Sequence, residues 1–281
     1  MDRVVLSARE TIRRILQQTG LPLYGFCPFE AVRDRLLPCG AAARLPKNSR
    51  TILVFLFPYR FEETGQRNLS RYACVPDYHR TAGQVLRAAA ESLKREFPSS
   101  AFEDFIDNSP IPEVYAAALA GLGRVGDNGL LLHPVFGSWV FIGCLVTDLD
   151  LRVTACVPQE CLHCGTCHRL CPAGCLETAD KPHRCLSALT QKKGELTDQE
   201  AALLAGSPLV WGCDVCQDCC PMNRKTKLEP HPCFTSYDGW LDREKLDGLN
   251  KQGLKEKAYG WRGRAVLERN LSVWHAKTGE D

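Results

Sequence analysis

The sequence predicts an α+β fold in its first half, followed by a smaller module that is rich in cysteine. Residues 1–154 contain both helix and strand signals, which indicates a domain built from helices and strands. Sixteen cysteines occur in 281 residues, and seven of them form two spaced runs after residue 155. With 44% hydrophobic residues, the chain can build more than one real core. We therefore predict three parts, at 1–154, at 155–235 and in a helical tail at 236–281.

Apolar spacing and end signals place the individual elements. Residues 7–19 have the spacing of an amphipathic helix that stops at Gly20. The continuous apolar run at 51–57 ends at a proline and predicts a buried strand. Residues 79–96 form a second, longer amphipathic pattern. The remaining predicted elements are strands at 101–107 and 138–147 and helices at 112–120, 182–191, 198–205 and about 262–275.

The two cysteine runs have the spacing of iron–sulfur ligands. They read Cys161-x2-Cys164-x2-Cys167-x3-Cys171-Pro172 and Cys213-x2-Cys216-x3-Cys220-Pro221. In the bacterial ferredoxin run, three thiolates hold one [4Fe–4S] cluster and the fourth reaches a neighbouring cluster. The sequence therefore predicts a ferredoxin-like module with two [4Fe–4S] clusters, and hence electron transfer.

Each cluster has four thiolate ligands if it takes the fourth one from another segment of the chain. The predicted sets are Cys161, Cys164, Cys167 and Cys220 for the first cluster, and Cys171, Cys185, Cys213 and Cys216 for the second. Cys175 and Cys219 compete for the fourth positions. A zinc site made from two CxxC pairs would leave three cysteines of the runs without a role, so clusters are favoured.

Composition and the first residues of the chain indicate the cellular compartment that we expect. The first residues lack an apolar signal core, and no apolar run approaches the roughly 20 residues that cross a bilayer. We therefore expect a cytoplasmic monomer without membrane contact, in which thiols stay reduced. Most cysteines outside the motifs are expected to be small buried apolar residues. The net charge of +2 gives no global sign of nucleic-acid binding.

A glycine-rich segment follows the predicted helix at 112–120. Glycines at 121, 123, 126 and 129 let the backbone approach a large ligand closely. The string Gly-x-Gly-x-x-Gly at 121–126 matches the dinucleotide fingerprint, but a helix precedes it where the fingerprint needs a strand. The segment is therefore either a plain glycine-rich loop or part of a site for another large ligand.

Four ordered segments resemble the epoxyqueuosine reductase family. They are Ser70-Arg71-Tyr72-Ala73 with Asp77-Tyr78-His79, Asp107-x-x-Pro110, Gly121-Leu-Gly-Arg-Val-Gly-Asp-Asn128 and Phe136-Gly-Ser-Trp139. These are similar to the family's R-Y-A…D-Y-H, D-x-x-P, G-L-G-W-I-G-K-N and F-G-S-W motifs. The double cysteine pattern follows in the same order, and the family's cysteine pairing agrees with the one reached by counting. The resemblance covers about residues 20–275.

The resemblance implies a nitroreductase-like cobalamin domain ahead of the ferredoxin-like domain. Members of the family are cobalamin- and iron–sulfur-dependent oxidoreductases that reduce epoxyqueuosine to queuosine in tRNA, with the cobalamin bound base-off. It implies Asp107 as the proton donor. To hold a proton near neutral pH this carboxyl needs a raised pKa, which burial beside the corrinoid could provide. The implied cofactor contacts are Arg71, Tyr72, Tyr78, His79, Asn128, Gly129 and Ser138.

Plainer roles stay open for the same residues. Asp107 could be an ordinary turn residue, and Arg71, Tyr72 and Tyr78 could cap a helix or fill a domain interface. Hydrogen bonding or packing is favoured over cobalt ligation for His79 and for His133. Core packing is favoured for Trp139, because it alternates with apolar neighbours.

The implied partners are tRNA and a low-potential electron donor such as ferredoxin or flavodoxin. The chain differs from the family at Val114, where arginine is usual, and at Asp127, where lysine is usual. It is expected to be a short form without the helical-repeat domain that helps the family grip tRNA. Basic residues of the tail could bind phosphates or form a solvated face, namely Lys251, Lys255, Lys257, Arg262, Arg264 and Arg269. The alternative functions are a related corrinoid reductase for another small molecule and a non-enzymatic iron–sulfur electron carrier.

Overall fold

The computed structural model describes residues 3–177 and 184–278, and the chain packs as two compact units. The first unit takes in the described residues of Met1–Pro58, Tyr78–Leu162 and Pro230–Cys233. The second takes in those of Tyr59–Asp77, His163–Glu229 and Phe234–Asp281. These divisions differ from the contiguous boundaries predicted from the sequence. The reason is that segments distant in sequence pair with each other, as Leu69 does with Trp211.

A four-stranded antiparallel sheet forms the centre of the first unit. The strands of this unit are β1 (Tyr24–Pro28), β2 (Thr51–Pro58), β3 (Phe102–Ile106), β4 (Arg124–Val125), β5 (Leu131–Leu132) and β6 (Val140–Thr147). The sheet has the order β1-β2-β6-β3, while β4 and β5 pair separately as a hairpin. Its register places Ile52 opposite Val146 and Phe105 opposite Cys144.

Helices cover both faces of this sheet, which explains why β2 is apolar without alternation. Helix Glu113–Leu119 packs on one face, where its alanines meet Ile52, Val54 and Leu56. Helix Tyr78–Glu96 packs on the other face against β3 and β6, and helix Arg3–Gln18 packs beside it. Gly143 lets the longer helix come close, because a Cβ there would lie 2.6 Å from Leu86 Cδ1.

The second unit has short helices around one apolar cluster. Its described helices are Thr166–Leu170, Leu186–Thr190, Asp198–Ala205, Val215–Asp218, Arg243–Gly248, Lys251–Lys255 and Arg264–Thr278. Trp211 and Tyr259 are fully buried in the cluster. The buried amide of Asn270 donates to the carbonyl oxygens of Thr190 at 2.8 Å and Val210 at 2.9 Å. Such side chains satisfy backbone groups that irregular segments would otherwise leave unpaired.

The predicted α+β fold class is confirmed, and the predicted helices and strands are found with boundaries that shift by a few residues. The helix predicted at 182–191 is observed at Leu186–Thr190, and residues 182 and 183 lie outside the described residues. Strand β1 and the helices Arg243–Gly248 and Lys251–Lys255 are not predicted from the sequence. Among the described residues, no helix has both the length and the apolar character to cross a membrane.

Candidate active site and cluster-binding segment

Asp107 lies in the first unit at the end of β3, where it meets the first turn of helix Tyr78–Glu96. The Tyr78 hydroxyl donates to Asp107 Oδ2 at 2.9 Å, and His79 Nε2 lies 2.9 Å from the same oxygen. Asp107 has a backbone φ of 59°, an uncommon conformation that aspartate tolerates better than most residues. The Asp107 side chain is 61% exposed and that of His79 is 37% exposed, so the three side chains form an accessible polar cluster.

In this structure the pKa of the Asp107 carboxyl is lowered, and its rise by burial beside the corrinoid stays a prediction. The hydrogen bond with His79 holds the pKa of the Asp107 carboxyl below its ordinary value, and the bond from Tyr78 acts in the same direction. Desolvation opposes these two bonds and is outweighed. Two donors on one exposed carboxylate oxygen favour its charged form. A proton held by this cluster therefore lies on His79 or Tyr78 before it lies on Asp107.

A second carboxyl group, that of Glu113, lies next to the backbone of Asp107 at the start of helix Glu113–Leu119. Glu113 Oε1 accepts the backbone N–H of Asp107 at 3.1 Å. Burial, followed by the nearby charge of Asp107, raises the pKa of Glu113 to about 8. Glu113 therefore holds a proton at neutral pH while Asp107 is charged. Sequence analysis missed this residue, although an acid six positions after Asp107 at a helix start was a visible signal.

An aromatic stack adjoins the acidic cluster. The ring of Tyr78 lies 4.0 Å from that of Phe141 with the planes 11° apart, and 4.1 Å from the ring of His79. Phe141 belongs to the first three residues of β6, which are partly exposed, whereas the rest of that strand is buried. Tyr78 and His79 were predicted from the sequence as site residues and Phe141 was not. Together they offer a flat, partly open apolar surface next to Asp107.

The glycine-rich segment forms the β4–β5 hairpin, so a helix precedes it and a strand pair follows. Asn128 Oδ1 accepts the backbone N–H of Leu130 at 3.2 Å, which caps the turn. Gly129 has a φ of 80°, and a Cβ there would meet open space. Ser138 is buried. Cofactor contacts by Asn128, Gly129 and Ser138 stay predictions.

His133 and Trp139 have the packing roles that the sequence favoured. His133 Nδ1 accepts the backbone N–H groups of Val135 at 3.1 Å and Phe136 at 3.2 Å. Burial lowers the pKa of His133, which keeps the imidazole neutral. Trp139 is 1% exposed.

In the second unit, Arg71 belongs to a network of two arginines and three carboxylates. This arginine–carboxylate network consists of Glu63, Arg67, Arg71, Asp214 and Asp218. Asp214 is its buried centre: Arg67 Nη1 lies 2.9 Å from Asp214 Oδ2, and the backbone N–H of Arg71 donates to the same oxygen at 3.0 Å. Burial raises the pKa of Asp214 to about 6, although both arginines act against this rise.

The network adjoins the second cysteine run in sequence, because Asp214 follows Cys213 directly. The neighbouring Tyr72 is also engaged within the unit, since its hydroxyl accepts from Trp211 Nε1 at 2.9 Å. Gly212 has a φ of 76°, and a Cβ there would overlap with the side chain of Ser70. The Arg-Tyr-Ala segment thus packs against the loop that begins the second cysteine run. Cobalamin contacts by Arg71 and Tyr72 stay predictions.

The cysteines of the second unit fall into two groups. In one group, Cys171 Sγ lies 3.5 Å from Cys175 Sγ. Burial raises the pKa of the Cys213 thiol to about 11, and the nearby Cys185 and Cys171 act in the same direction. These cysteines are therefore close enough to interact, as the second predicted ligand set requires.

The other group surrounds Cys219. Burial raises the pKa of the Cys219 thiol, and the charges of Cys167, Cys220 and Cys164 add to the rise. This proximity agrees with a ligand set that joins Cys220 to the first run. Cys161 belongs to the first unit, two residues before the second begins. Cys175 and Cys219 each lie within one group, so they remain alternatives for its fourth ligand, and the ligand sets stay predictions.

The cysteines outside the motifs are less buried than the sequence predicted. Eight cysteines lie outside the runs and the predicted ligand sets, and four of them are buried, namely Cys27, Cys74, Cys144 and Cys175. Cys39, Cys219 and Cys233 are half-buried, and Cys156 is exposed. The expectation that most of them are buried is therefore wrong, because four lie in segments that reach the surface.

Comparisons with known proteins agree with this arrangement. Residues 160–223 match the family described as "4Fe-4S double cluster binding domain", so this segment holds two [4Fe–4S] clusters. The fold is similar to that of the epoxyqueuosine reductase of Streptococcus thermophilus, with a TM-score of 0.77 and 21% identity over 97% of this chain and 82% of that one. A structure of an epoxyqueuosine reductase with an epoxyqueuosine-modified tRNA stem loop has a TM-score of 0.80 at 22% identity, with the same coverage.

Relatives in sequence carry the same name. The epoxyqueuosine reductase of Lactococcus garvieae is 31% identical over 76% of this chain and 65% of its own length. That of Escherichia coli is 35% identical over 59% of this chain and 44% of its own length. The chain spans about half to two thirds of the length of the first curated relatives it matches. The epoxyqueuosine reductase of Listeria monocytogenes is 30% identical over 92% of this chain and 72% of its own length. With identity at that level across nearly the whole sequence, the chain belongs to the epoxyqueuosine reductase family.

Proposed function

We propose that this protein reduces epoxyqueuosine in tRNA to queuosine. The observation that carries the proposal is the Tyr78–His79–Asp107 cluster, in which two segments that resemble family motifs meet at one carboxylate oxygen. Removal of the epoxide oxygen as water takes two electrons and two protons. The double-cluster segment supplies a route for the electrons, and the polar cluster supplies a route for protons.

The cysteines of the double-cluster segment would hold the two [4Fe–4S] clusters that supply electrons, and the contact residues implied by the family motifs would hold a cobalamin. A large planar ligand would lie against the partly exposed ring of Phe141, which stacks on Tyr78, and beside Gly129, where an added Cβ meets open space. Cobalamin, when bound, would supply a reduced cobalt centre able to act as a nucleophile or a radical source. The residues of this chain would bind and orient it and keep the proton donors beside it.

Proton delivery is the part that the described side chains define best. His79 and Asp107 share a hydrogen bond of 2.9 Å, so the pair can hold one proton between an imidazole and an exposed carboxylate. Asp107 would pass that proton to the departing oxygen, and His79 would restore it. Glu113 keeps its own proton at neutral pH, so it adds no negative charge that would oppose the charged form of Asp107. Aspartate would thus act as the donor through the pair and not by a raised pKa of its own.

The partners follow from this chemistry. We propose tRNA as the substrate, a low-potential donor such as ferredoxin or flavodoxin for the electrons, and a cytoplasmic monomer as the working form. A second candidate is a corrinoid reductase of the same build that acts on another small molecule. Asp127 and Val114 favour it, because each replaces a basic residue that is usual in the family.

The proposal is tested with anaerobically reconstituted protein and tRNA that carries epoxyqueuosine. We expect queuosine by mass spectrometry of the digested tRNA, and at least a hundredfold lower turnover for Asp107→Asn, in line with loss of a general acid worth about 10²–10⁴ in rate. Asp104→Asn, on the same strand, is the matched control and should keep full turnover. Queuosine-free tRNA after incubation with the loaded enzyme would point to the second candidate.

A further inference from the structure

Trp261 presents an aromatic ring to solvent in the second unit. The residue is 56% exposed, whereas Trp211 of the same unit is fully buried. It stands in the turn Gly260–Arg262, which follows the buried Tyr259. Gly260 packs so closely on the backbone of Leu254 that a Cβ would overlap with its carbonyl oxygen. The turn is therefore closely packed on the segment at Leu254, and the Trp261 ring points to solvent from this packed turn.

Arg262 completes this surface. Its guanidinium carbon lies 3.7 Å from the centre of the Trp261 ring, a cation–π distance. Arg262 Nε is buried and has no hydrogen-bond partner among the described residues. The guanidinium therefore supports one face of the indole ring.

The basic residues of the tail divide into two classes. Three are engaged within the unit: Lys257 pairs with Asp238 at 3.2 Å, Arg264 with Asp247 at 3.3 Å, and Arg269 donates to the carbonyl oxygens of Lys192 and Gly194. Lys251 and Lys255 are exposed, on a short helix that packs against the turn of Trp261. Two exposed lysines thus belong to the helix that packs against the turn of the exposed ring.

The neighbourhood of the ring argues against a protein partner. The other large apolar side chains that are exposed in the described residues lie outside the tail, at Leu6, Leu37, Val135, Val157, Leu162, Leu170 and Leu228. An apolar interface would need several such side chains together. One ring with a guanidinium and two lysines is instead the arrangement that binds single-stranded nucleic acid, by stacking on a base and contact with phosphates.

We propose that Trp261 and Arg262 form a stacking platform for an unpaired base of RNA, with Lys251 and Lys255 against the phosphate backbone. This inference rests on the proposed function, since it identifies where the chain would grip a tRNA loop. A platform of this kind reads no particular base, because every base offers a flat face. It would therefore hold a single-stranded segment without selecting its sequence.

The test measures binding of a fluorescein-labelled RNA hairpin with a single-stranded loop to the cluster-loaded protein, by fluorescence anisotropy. Trp261→Ala should weaken binding about tenfold, as expected for one lost base stack, while Trp261→Phe should keep most of the affinity. The double variant Lys251→Gln, Lys255→Gln should have a shallower plot of log K against log salt concentration. The slope should fall in magnitude by about 1.4, or about 0.7 for each lost phosphate contact. Leu228→Ala, an exposed apolar site elsewhere in the unit, is the matched control and should bind as the parent does.

Equal affinity of the parent and Trp261→Ala would overturn the inference, and so would equal losses for the Ala and Phe variants. Equal affinity for the hairpin and for a fully paired duplex would also contradict a stacking site. Affinity is measured with unmodified RNA and without turnover, so this result is independent of the proposed reaction. If the protein makes queuosine and Trp261→Ala binds RNA as the parent does, the proposed function stands and only the stacking platform is refuted.

Discussion

Glu113→Gln should change the pH dependence of stability in a way that reports directly on the buried carboxyl. The pKa of Glu113 rises from an ordinary 4.5 to about 8 in the fold, first because of burial and then because of the charge on Asp107. Below pH 4.5 the folded and unfolded chains both hold this proton, so the group has no effect on stability. Between 4.5 and about 8 the unfolded chain releases the proton and the folded chain keeps it. Stability from this group is therefore lost as the pH rises through that window.

The size of the loss follows from the same two values. A full difference between 4.5 and about 8 corresponds to roughly 4 kcal/mol at pH 8. Glu113 retains some exposure and its surroundings can relax, so we expect about 2 kcal/mol. Glutamine keeps the carbonyl oxygen that accepts the Asp107 N–H and cannot ionise. The variant should therefore exceed the parent in stability by about 2 kcal/mol at pH 8 and match it near pH 4.

Urea unfolding of the cluster-loaded proteins at a series of pH values measures this difference. The lowered pKa of Asp107 acts in the opposite sense, since its stabilisation is present above about pH 4 and is lost in more acidic solution. Both proteins contain Asp107, so the difference between them isolates Glu113. Glu91→Gln, at an exposed position of helix Tyr78–Glu96, is the control and should follow the parent at every pH. A difference between Glu113→Gln and the parent that does not change from pH 5 to 8 would refute the reasoning.

Three further predictions concern the cluster-bearing unit. Asp214→Ala should lower the free energy of unfolding by about 3 kcal/mol, because it leaves the buried Arg71 and the half-buried Arg67 short of a partner. Asp218→Ala, at a side chain that is 46% exposed, should cost under about 1 kcal/mol, and urea midpoints compare the two variants. Cys185→Ser should reduce the iron content of reconstituted protein from about eight to about four per chain, and Cys175→Ser should keep about eight; the reverse result would make Cys175 the ligand. Gly212→Ala should lower both the thermal unfolding midpoint and the iron content of reconstituted protein. The backbone at Gly212 is left-handed, and an added Cβ would overlap with Ser70. Values equal to those of the parent for both quantities would contradict the close packing.

Local patterns explain why so much of the fold is predictable. The strand at Thr51–Pro58 and the helix at Tyr78–Glu96 have long apolar patterns and definite end signals, and both are found within about one residue of the expected bounds. Strand Tyr24–Pro28 escapes prediction because its five residues include glycine and proline, which are rare in strands. Its pairing with β2 outweighs that local preference.

Distant contacts explain what the sequence could not yield at the site. The cysteine spacing is local, so the runs could be recognised without a structure. The lowered pKa of Asp107 depends on His79, a residue 28 positions earlier that only folding brings to 2.9 Å. Arg71 meets Asp214 across 143 positions, which no spacing rule anticipates. The direction of the pKa shift of Asp107 within this chain therefore follows from contacts that the sequence does not show.

The resemblance to R-Y-A…D-Y-H describes one motif, but the structure gives its two ends different physical tasks. Arg71 belongs to the second unit, where its N–H and guanidinium hold Asp214 beside Cys213. Tyr78, seven residues later, belongs to the first unit and donates to Asp107. One short segment therefore supports the loop that carries cluster ligands at one end and sets the charge of the proposed proton donor at the other. Since each task depends on contacts within its own unit, a change at Arg71 should act on cluster retention, and a change at Tyr78 on proton delivery.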